Sequence, residues 1–371
     1  MADNPPTVAT MTLTGADGAT VRAALDSGDP LPGTGGFAGE LDGALVRDVL
    51  GRYPLFFEAD GSAWSHDRTD LTDPVRLPAG HVQAAGGTSQ QWTLPAFDPV
   101  AGPASVDRLR DVLDATLTAV DTSRLAVAFS GGVDSSLLAA RLDIPLYTVG
   151  FPDSHDVEAA RSAAAVLGAD LRVVELDHET LERAVPEVAN AIGRTNAMDI
   201  EIALPLYVLA ERARADGIER LALGQGVDEL FGGYAKVARA PEDPRVEADT
   251  VRGARREVVG TLPGQFERDW LAVHAGGLTP VTPYVHDRIV AAALRLPGEL
   301  LVGADGERKR AFRLAAREWL PDELADREKK ALQYGSLVAR ELDRLARQAG
   351  FKRRMGDHVT QFVEHLLESR A

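Results

Sequence analysis

Two glycine-rich stretches hold the residues best suited to chemistry. The first is Leu-Ala-Val-Ala-Phe-Ser-Gly-Gly-Val-Asp-Ser-Ser-Leu at 125–137. Ser130, Gly131 and Gly132 form a turn that only small residues allow, because backbone must come close to whatever sits there. A strand, such a turn and then a helix point successive N–H groups outward, which suits an anion. Asp134, just inside the turn, repels a bare phosphate. Its presence calls for a divalent cation bridging carboxylate and phosphate oxygens. Asp134 and Ser135 could also be plain helix caps, but capping explains one polar residue and not four in a row. The Lys that a Walker A loop needs after its last Gly is missing, so this is not an ordinary P-loop. The second stretch runs from Gly224 to Tyr234 and reads Gly-Gln-Gly-Val-Asp-Glu-Leu-Phe-Gly-Gly-Tyr. Gly224 and Gly226 permit close backbone approach, and Asp228 is a second candidate cation ligand. Taken alone, it reads equally as a turn with Asp228 and Glu229 capping the next helix.

The elements around these stretches decide between the two meanings. Leu125 to Phe129 is a short apolar run of strand type, and Leu137 to Leu142 suits a helix face. Val106, Leu109, Val112, Leu113 and Leu117 recur at helical spacing just before it. Ile144 to Gly150 is a second strand, Val157 to Leu167 a helix, and Asp170 to Glu175 a third strand. Helices follow at Leu181–Ala191 and Ile202–Arg214, and Arg220 to Leu223 is a fourth strand. This alternation predicts an α/β fold, a doubly wound parallel sheet with ligands at the C-terminal strand ends. Two loops at neighbouring strand ends then face one crevice. The remainder reads as mostly helical, broken at Pro280 and Pro283, at 297–306 and at Pro321. It closes on an Arg-rich amphipathic segment, Val338 to Arg370, suited to packing or to a homodimer. Ahead of all this, residues 1–97 form a separate, small β-rich domain, with 98–371 as the second. That first part holds a strand at Val8–Leu13, a helix at Thr20–Leu25, and then short apolar pieces between Gly, Pro and Asp turns, which suggest an antiparallel sheet.

The 371-residue chain carries a formal net charge of −16 and no Cys. Without Cys there is no disulfide framework, thiolate metal site or Cys nucleophile. An acidic balance that favours Arg over Lys argues against nucleic-acid binding, since phosphate backbones are repelled. Such a surface resembles those of proteins from high-salt cytoplasm, although a GC-rich genome alone supplies the same bias. No signal peptide and no bilayer-spanning run is evident, so neither membrane nor export is expected and a cytoplasmic location is the default. Lys occurs only at 236, 309, 329, 330 and 352, which makes each one conspicuous.

Ser-Gly-Gly-Val-Asp-Ser resembles the pyrophosphate (PP) loop of the N-type ATP pyrophosphatases, whose fold is the adenine nucleotide alpha hydrolase type. Together with Gly-x-Gly-x-Asp-Glu-Leu-Phe-Gly-Gly-Tyr at this distance, it resembles the synthetase domain of the asparagine synthetase family. The likeness covers residues 104–340. It extends to Val149-Gly150-Phe151 with Asp156, Ala203-Leu204-Pro205, Arg268-Asp269, and Leu320-Pro321 with Arg327-x-Lys329. It implies an AMP- and pyrophosphate-forming carbon–nitrogen ligase that uses ATP and Mg²⁺. A carboxylate, aspartate as the best single candidate, would be adenylated and then attacked by ammonia, free or supplied by a separate glutaminase subunit. By position, Ser130, Gly131, Gly132 and Ser135 would cradle the pyrophosphate. Asp134 and Asp228 would hold Mg²⁺. Phe129, Val149 and Gly224 would lie near the adenine, with Gly150 and Gly226 also in the nucleotide site. Lys329 would neutralise charge on the α-phosphate and the leaving pyrophosphate, with Gln225 and Arg268 also in the catalytic centre. Arg47-Asp48-x-x-Gly51-x-x-Pro54-Leu55 resembles part of a class II glutamine amidotransferase domain. With Ala at position 2, no Cys and the leading sheet mostly missing, this part is expected to be a remnant that does not hydrolyse glutamine.

Two departures from the family pattern bear on the substrate. Gln225 stands where the family usually has Glu, and a neutral amide positions by hydrogen bonds but takes no proton. Another base is then needed, with Asp199, Glu201 and Glu229 as candidates. From Gly277 to His286, Thr279 and Val281 replace a charged pair, and the pattern's Asp falls on His286 or Asp287. Loss of an Arg there removes a bidentate carboxylate clamp. Two other readings remain open: a ligase for a different carboxylate and amine, and a non-catalytic nucleotide-binding regulatory subunit. A base-adenylating nucleic-acid modifier is disfavoured by the acidic charge and the lack of a basic tract.

Overall fold

The computed structural model describes residues 13–240, 242–327, 336–353 and 356–369. The chain divides into two compact units, with the break after Pro95.

The first unit is built on antiparallel pairs. One sheet has the order β1 (Leu13–Thr14), β2 (Ala38–Leu41), β3 (Ala44–Arg47), β7 (His81–Ala84), β8 (Gly87–Gln90). A second places β4 (Phe56–Glu58) between β5 (Trp64–Ser65) and β6 (Pro74–Arg76). The helix Gly18–Ser27 is N-capped by Asp17. Most of the strand expected at Val8–Leu13 lies outside the described residues. The Arg47-Asp48 motif is a structural lock. The fully buried Arg47 guanidinium donates to the carbonyls of Tyr53, Leu77 and Gly51 at 2.8, 2.7 and 3.0 Å. Asp48 accepts from Arg52 Nε at 2.9 Å and from the Phe37 and Leu50 backbone. Satisfying these buried polar groups in full is what makes them tolerable in a small core.

The second unit holds a five-stranded sheet, parallel throughout, in the order β11 (Leu171–Glu175), β10 (Leu146–Gly150), β9 (Leu125–Ala128), β12 (Arg220–Ala222), β13 (Thr279–Val281). Its central strands are short and buried on both sides, which explains their continuous apolar runs. From β9 the chain winds one way through β10 and β11, then returns to the other side for β12 and β13. Right-handed crossovers put the helices of the two halves on opposite faces. The reversal falls between β9 and β12, and a crevice opens there beyond the strand ends.

Several local expectations shift. The helix after the first glycine turn spans Val133–Leu142 and so includes the apolar face at 137–142, with Gly132 as its N-cap and no side-chain capping bond, so neither Asp134 nor Ser135 is a cap. The fifth strand, Thr279–Val281, falls where the two prolines predicted only a break. Pro280 is tolerated because β13 is an edge strand with a single neighbour. The Arg-rich closing segment forms two helices, Val338–Gln348 and His358–Glu368, separated around Gly350 and Gly356. They dock on the helices His178–Ile192 and Ala197–Ala215 through His178 to Glu341 at 2.8 Å and Thr360 to the Ala197 amide at 3.2 Å. Among the described residues, no helix is long and apolar enough to cross a membrane.

Candidate active site at the strand-end crevice

The first loop leaves β9 through Phe129 and turns at Gly131, whose φ is +73°. A Cβ there would sit 2.5 Å from the Ala159 carbonyl oxygen, so both dihedral and space demand Gly. Ser135 ties the turn together. Its hydroxyl accepts from the Ser130 amide at 3.1 Å and donates to the Gly132 carbonyl at 3.2 Å. Because no side chain caps the Val133–Leu142 helix, its first-turn amides are left for an outside acceptor.

The second loop leaves β12 through Leu223 and turns at Gly226, with φ +91°. A Cβ on Gly226 would collide with Val285, and one on Gly224 would come within 3.1 Å of the Asp134 Cβ. Residues 224–226 therefore lie directly against the first loop. Tyr284 braces the pair from below, its hydroxyl donating to the Asp134 carbonyl at 2.8 Å.

The two aspartates meet at one point, and a cation already stands there. Lys309 Nζ lies 2.7 Å from Asp134 Oδ2 and 2.8 Å from Asp228 Oδ1. Lys309 has φ +59° and precedes the helix Arg310–Ala316, which turns its side chain inward. Burial alone would lower its pKa, but the two carboxylates outweigh burial and raise it, so the ammonium stays charged. Gly233 leaves room for this side chain, since a Cβ there would be 2.5 Å from Lys309 Cε. Among the described residues, no three His, Cys, Asp or Glu groups converge in the manner of an all-protein metal cage. Two hard oxygen donors facing one point do fit Mg²⁺, which takes one or two carboxylates and completes its shell with water and phosphate oxygens.

These loops open onto a cavity of about 390 Å³. Its wall has three regions. Phe129, Val149, Ile202, Leu206, Leu209 and Leu223 are apolar. The second region holds Lys309 and three guanidiniums, each donating to a backbone oxygen. Arg308 donates to Gly233 O at 2.7 Å, Arg313 to Ala325 O at 2.8 Å, and Arg327 to Ala159 O at 3.1 Å. The third region holds Gln225, Glu229, Tyr234, Arg268 and Asp269. Arg268 is held between carboxylates, with Nε 2.6 Å from Asp269 and Nη1 3.1 Å from Asp199. Burial works against the Arg268 charge, yet these partners raise its pKa above the ordinary arginine value. Gln225 Nε2 donates to the other Asp269 oxygen in a very short contact.

The expected site residues gather here with few exceptions. Phe129, Ser130, Gly132, Asp134, Ser135, Val149, Gly224, Gln225, Gly226, Asp228 and Arg268 all line the cavity. Gly131 and Gly150 shape the site from behind the wall. Gly150 leaves room for Ser154, which caps the next helix. Lys329 lies outside the described residues. Of the three candidate bases, only Glu229 is in the wall, buried, with Tyr234 donating to it at 2.5 Å. Burial pushes its carboxyl pKa up. Asp199 stands behind the wall, bound by Arg194, Arg268 and Asn196. Burial raises its pKa, but these contacts outweigh that and hold it low. Glu201 is not in the wall either. Burial and Asp343 push its pKa up to about 7. The residue that sequence reasoning missed is Lys309. Its scarcity was a signal, but nothing local tied it to Asp134, 175 residues earlier.

A parallel sheet with glycine turns and paired aspartates at its switch point defines an α/β protein with a crevice of nucleotide-binding type. The chain belongs to the asparagine synthase family, whose model matches residues 108–274 and 238–368. A Methanocaldococcus jannaschii protein, provisionally named a glutamine-hydrolyzing asparagine synthetase, is 31% identical over 278 residues, covering 66% of this chain and 51% of that one. Glutamine-hydrolyzing asparagine synthetase B of Escherichia coli is 25% identical over 348 residues, covering 83% of this chain and 62% of that one. The chain thus spans between about half and three fifths of the length of these curated relatives. Among solved structures, NMN synthetase from Francisella tularensis matches with a TM-score of 0.25 at 13% identity, over 65% of this chain and 91% of that one, a likeness too loose to carry weight.

Proposed function

We propose that the chain catalyses AMP-forming amide synthesis from ATP, a carboxylate and ammonia, with aspartate as the first acid to try. The observation that supports this most is the convergence of Asp134 and Asp228, from loops at adjoining strand ends, on one cation-sized point. The apolar wall suits an adenine ring. The Ser130–Ser135 turn and the open helix N-terminus suit the β- and γ-phosphates. Asp134 and Asp228 would hold Mg²⁺, which supplies neutralisation of phosphate charge when bound. Lys309, Arg308, Arg313 and Arg327 add fixed positive charge to the cavity wall, and preorganised charge of this kind stabilises a transition state that sheds pyrophosphate. Lys329 is proposed for the same end of the site on the strength of the family pattern. The substrate carboxylate attacks the α-phosphorus and pyrophosphate leaves. Ammonia then displaces AMP from the acyl-adenylate.

The nitrogen would come as free ammonia or from a separate glutaminase, because the chain has no Cys to serve as glutaminase nucleophile. The small first unit is read as a Cys-less relative of the amidotransferase fold with a structural role. A second reading, a nucleotide-binding regulatory subunit without turnover, is favoured by the neutral Gln225. Incubation with Mg·ATP, aspartate and ammonium chloride, or hydroxylamine in its place, tests both. AMP, pyrophosphate and amide or hydroxamate are expected. ATP binding without AMP would favour the regulatory reading, and ADP as product would refute both.

A further inference from the structure

We propose that Asp269 is the general base that takes the proton from the attacking nitrogen, and that Gln225 positions it. The inference rests on the ligase reading above. An amine that attacks an acyl-adenylate forms a C–N bond with its lone pair. The C–O bond to the phosphate breaks and its electrons leave with AMP. The nitrogen then carries one proton too many, and a carboxylate in reach of it speeds the step.

The cavity wall offers five carboxylates: Asp134, Asp156, Asp228, Glu229 and Asp269. Asp134 and Asp228 face Lys309 and the phosphate end. Asp156 lies in the first turn of the helix after β10, beside the first loop's side of the sheet. Glu229 stands one residue from Asp228, and its Oε1 already accepts the Tyr234 hydroxyl at 2.5 Å.

Asp269 is placed differently. It comes from the Leu262–Ala275 helix and meets the second loop at its central residue, between Gly224 and Gly226. One oxygen is fixed by Arg268 Nε at 2.6 Å, and the other takes the Gln225 amide hydrogen. The Gln225 amide cannot itself take a proton. What it does is hold the carboxylate against the loop that touches Asp134. An acyl group joined to an α-phosphate there would lie between the aspartate pair and Asp269. Arg268, held by Asp199 and Asp269, thereby supports the base rather than clamping a substrate carboxylate.

The test uses the full chain with Mg·ATP, aspartate and ammonium chloride. ATP–pyrophosphate exchange reads adenylation and amide formation reads transfer. For Asp269→Asn, transfer falls by about 100-fold, as for loss of a general base, while exchange falls by under about threefold. The double variant Gln225→Glu/Asp269→Asn moves the carboxylate to the partner position and recovers about 10-fold of the lost transfer rate. Gln225→Leu lowers kcat for transfer without raising KM for ATP. Should Asp269→Asn not fold by circular dichroism, the exchanged pair and Gln225→Leu carry the test. Equal loss of exchange and transfer, or no recovery in the exchanged pair, overturns the proposal. If the wild-type chain forms no AMP with any candidate acid, the ligase reading fails first, and this inference with it.

Discussion

Lys309→Met tests the centre of the site without any need to know the substrate. The substitution keeps most of the side-chain volume and removes the ammonium that lies between Asp134 and Asp228. Breaking a fully buried ion pair from one side costs about 3–5 kcal/mol, because the remaining charge is left uncompensated. Here the side chain of Lys309 is 11% exposed and that of Asp134 21%, whereas Asp228 is 41% exposed and partly screened. The Asp228 half then behaves more like a surface pair. A loss of about 2 kcal/mol is therefore expected in the presence of EDTA, which lowers Tm by roughly 4–8 °C for a unit of this size. Millimolar MgCl₂ should restore part of that loss in the variant, because a divalent ion takes the place of the ammonium between the same two carboxylates. Wild-type protein should show a smaller Mg²⁺ shift, since there the ion competes with Lys309. Thermal melting of both proteins, each with EDTA and with MgCl₂, is the assay. A variant that melts with wild type in EDTA, or equal Mg²⁺ shifts in the two proteins, would refute the account of Lys309 as a cation shared by both aspartates.

Three other outcomes follow from particular residues. Glu201 has a carboxyl pKa of about 7 against an ordinary 4.5, from burial and Asp343, so the folded state binds more protons than the unfolded state between those values. Stability should fall as pH rises through that window, and Glu201→Gln should gain about 1 kcal/mol at pH 8 and nothing at pH 4, measured by urea unfolding. An equal effect at both pH values would contradict this. Gly131→Ala forces a Cβ to 2.5 Å from the Ala159 oxygen at a positive φ. It should cost about 2 kcal/mol or more and weaken ATP binding at least about 10-fold. Wild-type affinity by calorimetry would show that the turn is not the phosphate site. Glutamine should not replace ammonia as nitrogen donor, and release of glutamate from glutamine by the purified chain would overturn that expectation.

Much of the site was legible because its chemistry is local. Ser130 to Ser135 are consecutive, and so are Gly224 to Asp228. Each loop therefore announces its turn and its carboxylate within a few residues. The apolar runs at 125–129, 144–150 and 220–223 are largely buried strands, and 170–175 is a partly exposed edge strand; the ends of all four fall within a few residues of where the sequence pattern puts them. The fifth strand was hidden because a three-residue edge strand containing Pro280 carries no period of its own. The second long helix starts at Ala197, ahead of the apolar residues from Ile202, because Asn196 caps it through the Asp199 amide, and apolar spacing does not record a cap.

The residue order alone determined the family, the parallel α/β plan, the two glycine turns and the pair of aspartates that they present, since each is written in adjacent residues. Tertiary structure alone decided that Lys309 stands between those aspartates, that Gln225 is bound to Asp269, and that Arg268 is held by carboxylates. Apart from Asp269 beside Arg268, those partners lie from 44 to 175 residues apart in the chain. Only the winding of the sheet about its switch point brings them together, and no local pattern of hydrophobicity or turn chemistry encodes which distant charges will then share one low-dielectric cavity.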